Sequence, residues 1–350
     1  MVSPELQKQF AKNGIVLVPE SVGPQKLVEE LRYGQKGEVE VIISGNQTFL
    51  PSPPSFPLIG NSASPSKGKA HTVEVLRYLD PAHDLYLKDH QLDGKPVLPM
   101  AMALELMAEV VAHGWPELKL IAVNNMQVLQ GIIIDDGAKP IRVKARPHTH
   151  SFSEQLEVDV SIVEAENRGR IHYRATATLA KQIPAPTKIE AFSMIEAAPF
   201  PMSVQEVYRQ LLFHGPQFQR IDHIERMGTS GIIASLNSSS PQQCVTSAAQ
   251  GEWIIDPMVI DNGLQLILIW ARLHWDMTLL PSRFLRYRRF NSLSERKIDC
   301  HLHIRSSSKN PVIHADIAFF GPDGSLVGLL EDIEGTCSKS LNRLTKSHVQ

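Results

Sequence analysis

Two stretches of this chain are apolar at almost every position, and most of the rest alternates. Met100 to His113 carries Ala101, Leu104, Met107, Ala108 and Val111 at helical spacing, and Met258 to Trp275 forms a second apolar run. A helix apolar on nearly all sides has to be buried. Around the first helix, Val73 to Leu79, Leu120 to Val128, Ile132 to Asp135, Ile141 to Ala145, Gln155 to Val163 and Arg170 to Ala180 read as strands. Around the second, Phe218 to Met227, Gly231 to Asn237, Lys297 to Arg305, Val312 to Phe320 and Leu326 to Gly335 do the same, after a short helix at Val204 to Leu212. Asp136-Gly137, Asn167-Arg168-Gly169 and Gly321-Pro322-Asp323-Gly324 supply turn chemistry. One architecture therefore occurs twice: a turn, a long apolar helix, then antiparallel strands. Even the helix starts share letters, Pro99-Met100 and Pro257-Met258. A curved antiparallel sheet wrapped round each helix buries it, and two such units side by side can merge into one wide sheet. The order of elements predicts an α+β fold.

The punctuation divides the chain into 71–183 and 201–342, with a Pro-rich linker at 184–200 between them. A Pro- and Ser-rich linker at 46–70 precedes the first unit, and 343–350 is a tail. Residues 1–45 hold one helix candidate (Leu27 to Leu31) and one strand candidate (Val39 to Ile43), too little to close a core.

Composition narrows the class. The 350 residues suit one large or two ordinary domains. Formal net charge is −2, so nothing favours general nucleic-acid binding. Arg283, Arg286, Arg288 and Arg289 form a local basic cluster, read as a solvated face or as a docking patch for an anionic partner. The three cysteines (Cys244, Cys300, Cys337) are far apart and odd in number, which fits a reducing, cytoplasmic setting and no disulfide framework. No apolar run reaches the roughly 18 residues of a membrane span, and no signal peptide is legible at the start.

The chemistry gathers at His90-Gln91-Leu92-Asp93-Gly94-Lys95-Pro96-Val97-Leu98-Pro99. His90 is an imidazole that titrates near physiological pH, suited to a general base. Gly94 permits a tight turn and close backbone approach, and Pro99 suits a helix start. The bland reading of His90 is a surface loop histidine. Asp261 lies early in the second apolar helix, with Gln265 four residues on and on the same face. Apolar surroundings push a carboxylic acid toward its protonated form, and the helix N-terminus pulls the other way. If desolvation wins, Asp261 can protonate a leaving hydroxyl; otherwise it is a solvent-facing helix acid. Asp256 reads as the cap of that helix. His148-Thr149-His150 has two-residue metal spacing but no third ligand near it, so a surface loop is the simpler reading, and no metal site is expected.

These residues resemble the dehydratase domains of type I polyketide synthases and related fatty-acid-type megasynthases. His90, Gly94 and Pro99 match a His-x3-Gly-x4-Pro motif, and Asp261 and Gln265 match Asp-x3-Gln/His. Gly215, Pro216 and Phe218 match the end of a third motif, in family order over about 71 to 342. That third motif usually reads Gly-Tyr-x-Tyr before Gly-Pro. Here Leu211-Leu212-Phe213-His214 stands instead, placing His214 where the second Tyr would be. This and Met100 after Pro99 look more like the iterative enediyne-type and polyunsaturated-fatty-acid-type branch. The resemblance implies a double-hotdog fold with catalytic His90 and Asp261, and substrate positioning by Gly94, Pro99, Gln265, His214, Gly215, Pro216 and Phe218. Gly94 would be the counterpart of a backbone N–H donor to the thioester carbonyl. It implies a β-hydroxyacyl thioester on the phosphopantetheine of an acyl carrier protein, an enoyl product and no cofactor bound by the domain. Residues 14–45 look like the end of an upstream ketoreductase domain, so the chain reads as a piece of a larger synthase, of a kind that is usually dimeric. The competing reading is a non-catalytic double hotdog that binds or shapes an acyl chain.

Overall fold

The computed structural model describes residues 56–60, 72–135, 137–148, 155–165, 169–186, 192, 196–246, 251–291 and 297–348, with Pro24 and Val28. The chain divides into Met1–Pro54 and Ser55–Gln350. Of the first unit only Pro24 and Val28 are described, both helical, so the ketoreductase-like expectation lies outside the described residues.

The second unit is a single twelve-stranded antiparallel sheet wrapped round two helices. Its strands are β1 (Val73–Leu79), β4 (Lys119–Val128), β5 (Lys139–Pro147), β6 (Gln155–Glu164), β7 (Ile171–Ala180), β8 (Ala198–Pro199), β9 (Ile221–Gly228), β10 (Gly231–Asn237), β11 (Thr278–Arg289), β12 (Lys297–Ile304), β13 (Val312–Phe320) and β14 (Leu326–Ser338). Across the sheet they run β1-β5-β6-β7-β4-β11-β14-β13-β12-β10-β9-β8. A separate two-stranded hairpin joins β2 (Gln91–Leu92) and β3 (Lys95–Pro96). The first half-sheet curls round α1 (Met100–Gly114) and the second round α3 (Pro257–Trp275), with α2 (Val204–Gln210) beside the second. This is the double hotdog.

The two expected sheets merge because β4 and β11 pair, Phe284 opposite Met126 and Tyr287 opposite Val123. All four side chains are buried. The strand β11 is absent from the sequence reading, which treats its arginines as a surface cluster. Arg283 instead bonds Glu334, and Arg288 bonds Glu331, both on the neighbouring β14. Cross-strand ion pairs offset the charge of Arg283 and Arg288, Arg286 stays exposed and donates to Asn124 Oδ1, and Phe284 and Tyr287 between them face the core.

Both helices are buried for the reason their composition gives. Thirteen residues of α1 are buried, and α3 is buried continuously from Pro257 to Ala271. Asp256 caps α3, accepting from the N–H groups of Met258 and Val259.

Four expectations shift. Phe56, Leu58 and Ile59, inside the expected 46–70 linker, are buried. Glu109 of α1 draws them in, accepting from the N–H groups of Leu58 and Ile59 at 2.9 and 3.0 Å. In the 184–200 linker, Ala198–Pro199 adds a short strand to β9. The 343–350 tail begins inside a 3-10 segment, Lys339–His348, in which Leu344 is buried and Arg343 grips Asp93. Ile132–Asp135 is not a sheet strand: it lies along the loop before α1, with Leu98 N–H donating to the Ile132 carbonyl and Ile134 N–H to that of Pro96.

Candidate active site

The loop carrying His90 is a hairpin turned at Asp93-Gly94. Both central residues have positive φ, +51° and +77°, as a two-residue type I′ turn demands. Gly94 is exposed at the tip, and its conformation is what the turn requires. Behind the tip, Val97 locks His90 twice. Its N–H donates to the His90 carbonyl at 3.0 Å, and its own carbonyl takes the His90 Nδ1–H at 2.9 Å. A carbonyl only accepts, so Nδ1 carries the proton and Nε2 keeps its lone pair. Pro99 ends the loop as the N-cap of α1, and the Tyr173 hydroxyl, donating to the Leu98 carbonyl at 2.8 Å, ties the loop to β7.

The other half of the site comes from α3 and the segment after α2. Asp261 and Gln265 are one turn apart on α3, and Gln265 Nε2 donates both to Asp261 Oδ2 at 2.8 Å and to the Phe218 carbonyl at 3.1 Å. Gly215, Pro216 and Phe218 lie in a tight 3-10 turn at Pro216–Phe218 rather than at the start of the expected strand. That turn docks on the residue before His90: Gly215 N–H donates to the Asp89 carbonyl at 2.8 Å and Gln217 N–H to Asp89 Oδ2 at 2.9 Å. A Cβ on Gly215 would stand 2.8 Å from Asp89 Cα and 2.7 Å from its Cγ, so only glycine fits.

His214, just before it, is 5% exposed and stacks on Phe213 at 4.1 Å between centroids. Its Nε2 is 3.5 Å from Asp261 Oδ2, and its ring is 5.5 Å from that of His90. One ring nitrogen of each histidine and one Asp261 oxygen all lie within 4.8 Å of one another. The two halves of the chain thus bring His90, His214, Phe218, Asp261 and Gln265 together. Gly215 and Pro216 join the halves beside them, while Gly94 and Pro99 shape the His90 loop from its two ends. A cavity of about 500 Å³, lined by Val204, Tyr208, His214, Gly215, Pro216 and Ile221, opens alongside.

Burial drives the two titrating groups in opposite directions. It pushes the His90 imidazole down to about 4, against the Val97 hydrogen bond, which favours the charged form. It pushes Asp261 up to about 7, against the Gln265 hydrogen bond. The site therefore holds a neutral imidazole and a carboxyl group that keeps its proton up to about pH 7.

Other buried polar groups escaped the sequence reading. Glu105 and Glu109 are fully buried on α1, where Glu105 accepts from Ile254 and Ile255 N–H at 2.8 and 2.7 Å. Asn262, next to Asp261, accepts from the Tyr208 hydroxyl at 3.0 Å and from Arg220 N–H at 3.1 Å, fixing the third-motif turn to α3. Two acids in an apolar helix were a visible signal; their partners, backbone groups far along the chain, were not. His148 pairs with Glu157 and Asp159 on the surface, and His150 lies outside the described residues.

Two family models match this chain. Residues 57–163 match the polyketide synthase dehydratase domain, and residues 194–348 match the polyketide synthase dehydratase N-terminal domain. Together they span most of the chain, which belongs to the polyketide synthase dehydratase family. A curated relative, one of the subunits of the polyunsaturated fatty acid synthase of a Thraustochytrium species, is 26% identical over 295 residues, 82% of this chain. The chain spans 10% of that relative's length. The dehydratase domain from the CurF module of curacin polyketide synthase superposes with a TM-score of 0.62 at 17% identity, covering 81% of this chain and 99% of that one. An inactive variant of the CurJ dehydratase, with a histidine replaced by phenylalanine, gives 0.63 at 17%, covering 82% and 98%. Two further neighbours are CurK dehydratase variants described as inactive, one with a histidine replaced by phenylalanine and one with an aspartate replaced by asparagine. Among the described residues, no helix is long and apolar enough to cross a membrane.

Proposed function

We propose that this domain removes water from a β-hydroxyacyl thioester, with His90 as base and Asp261 as acid. His90 Nε2 takes a proton from the α-carbon, whose electrons form the Cα–Cβ double bond. The C–O bond at the β-carbon breaks, and Asp261 protonates the departing oxygen, releasing water. His90 then holds the proton from the α-carbon and Asp261 has lost its own; His90 gives a proton to solvent and Asp261 takes one from it, which resets the pair. The observation that carries this reading is the pairing of a neutral imidazole and a protonated carboxyl, from two halves of the chain, across one small site. The CurK dehydratase variants described as inactive, one at a histidine and one at an aspartate, fit a reaction that needs both residue types.

The same reading assigns positioning roles. Gln265 holds the Asp261 carboxyl toward the substrate, and His214 receives the β-hydroxyl beside it. Phe218 closes one wall, Gly215 and Pro216 set the turn, Pro99 sets the loop, and Gly94 is retained as the family counterpart of the thioester-carbonyl donor. The substrate arrives on the phosphopantetheine of an acyl carrier protein, after an upstream ketoreductase has made the β-hydroxyl. The curated relative's multidomain length supports such neighbours, and a homodimer is the expected assembly.

The test is mass spectrometry of β-hydroxyacyl pantetheine thioesters of several chain lengths and both β-epimers. Loss of one water with the parent chain and none with His90→Ala is the expected result. No loss from any of them, with the chain folded, would favour the acyl-binding reading.

A further inference from the structure

The cluster proposed for acid–base work also gathers three side chains of metal-ligating type. His214 Nε2 and Asp261 Oδ2 are 3.5 Å apart, and one ligand-type atom from each of His90, His214 and Asp261 lies within 4.8 Å of the other two. Tetrahedral zinc with bonds near 2.0 Å separates its ligand atoms by about 3.3 Å. Outer-shell partners are already built. The His90 Nδ1–H is held by the Val97 carbonyl, leaving Nε2 as the donor, and Asp261 Oδ2 accepts from Gln265. Ligating histidines ordinarily give their other N–H to such an acceptor, and ligating carboxylates are ordinarily hydrogen-bonded themselves. Two imidazoles and one carboxylate make a zinc donor set with a fourth position for an exchangeable ligand. His90 is only partly buried, which leaves the cluster an open side.

We infer that His90, His214 and Asp261 form a three-ligand zinc site, and that zinc held there switches the domain off. The ion would take the His90 nitrogen and the Asp261 oxygen that the elimination needs. The inhibitory half rests on the dehydratase reading; the binding half does not. Cys244, Cys300 and Cys337 are poor competitors, being buried, with the thiols of Cys244 and Cys337 pushed up to about 12 and 11. The rival on the surface is the His314, Asp332 and Glu334 group, where His314 Nδ1 stands 2.9 Å from Asp332.

The experiment is calorimetric titration of the chelator-treated full chain with zinc sulfate, alongside His90→Phe, His214→Phe and His314→Asn. The expected result is one ion per chain. His90→Phe and His214→Phe should each weaken binding by about 100-fold, as much as an outer-shell partner alone can cost, and His314→Asn should leave it unchanged. Failure of the parent to bind zinc, or full affinity in His214→Phe, overturns the site. Should a variant not fold, cobalt(II) titration of the parent decides. Intense visible bands of a four- or five-coordinate ion support the site, and the weak spectrum of an octahedral ion overturns it. Dehydration is assayed in parallel. Loss of turnover with zinc, restored by chelator, is expected, and full turnover with the ion bound overturns the inhibitory half. A metal-free chain that binds zinc but never dehydrates a thioester counts against the dehydratase reading and against the off-switch, while the binding result stands.

Discussion

At Asp261 the environment makes the acid. Met258, Val259, Ile260, Leu264 and Leu266 surround it along α3, all buried, so its charged form is expensive. Asp261→Asn keeps the shape and the Gln265 neighbour but cannot deliver a proton. Turnover of a pantetheine thioester should fall by about 10²–10⁴-fold, the usual worth of a positioned proton donor, with an unchanged circular dichroism spectrum. Substantial residual turnover in that variant would remove Asp261 from the reaction. Gly215 works by having no side chain. Gly215→Ala should push the third-motif turn away from Asp89, and a displacement near 1 Å costs about 100-fold in rate; steady-state kcat/KM against the parent measures it. His90, Asp261 and Gln265 were named in the sequence through three motifs in family order, and Asp261 also as an acid inside an apolar run, which is costly unless paired or neutral; the structure brings the three together. Glu105 and Glu109 carried the same signal. Their purpose was hidden because they bond backbone N–H groups of Ile254, Ile255, Leu58 and Ile59, and no sequence pattern marks a backbone group as a partner.

At the scale of elements, α1 serves as a clamp as well as a core. Burial raises Glu109 to about 8 from an ordinary 4.5, and burial together with the neighbouring Glu109 raises Glu105 well above its ordinary value. The folded chain therefore keeps protons that the unfolded chain releases. Below about pH 4.5 both states are protonated and the contribution is whole. Between pH 4.5 and 8 the unfolded state loses its proton first, so stability declines as pH rises through that window. Thermal unfolding followed by calorimetry should give a Tm that drops from pH 5 to pH 8, and Glu109→Gln, which keeps one acceptor oxygen, should flatten the profile. An equally steep profile in that variant would assign the effect elsewhere. Most strands were readable because burial alternates along them, as in β1, where Val73, Val75 and Leu79 point inward. The strand β11 was not, because Pro281 and four arginines interrupt the alternation and a register shift between Pro281 and Arg283 breaks the period.

At the largest scale described, Ser55–Gln350 is organised round one seam. The β4–β11 pairing makes two half-sheets into one, so the halves should unfold together. Phe284 is almost fully buried on that seam. Phe284→Ala should cost about 3–5 kcal/mol, the usual range for a buried phenylalanine, in one cooperative transition by denaturant titration. Two separated transitions would mean that each half stands alone. The repeat of turn, helix and strands announced two similar halves in the sequence. Their seam was not announced, because it depends on the one strand the charge pattern disguised.

That seam also sets a genetic rule. The proposed base and acid come from the two halves of one folded chain, so a reaction chamber is complete only within a single copy. A protein carrying His90→Ala mixed with one carrying Asp261→Asn should regain nothing, even when the two share an assembly. Each copy would contain one broken chamber, and the two lesions would fall into one complementation group.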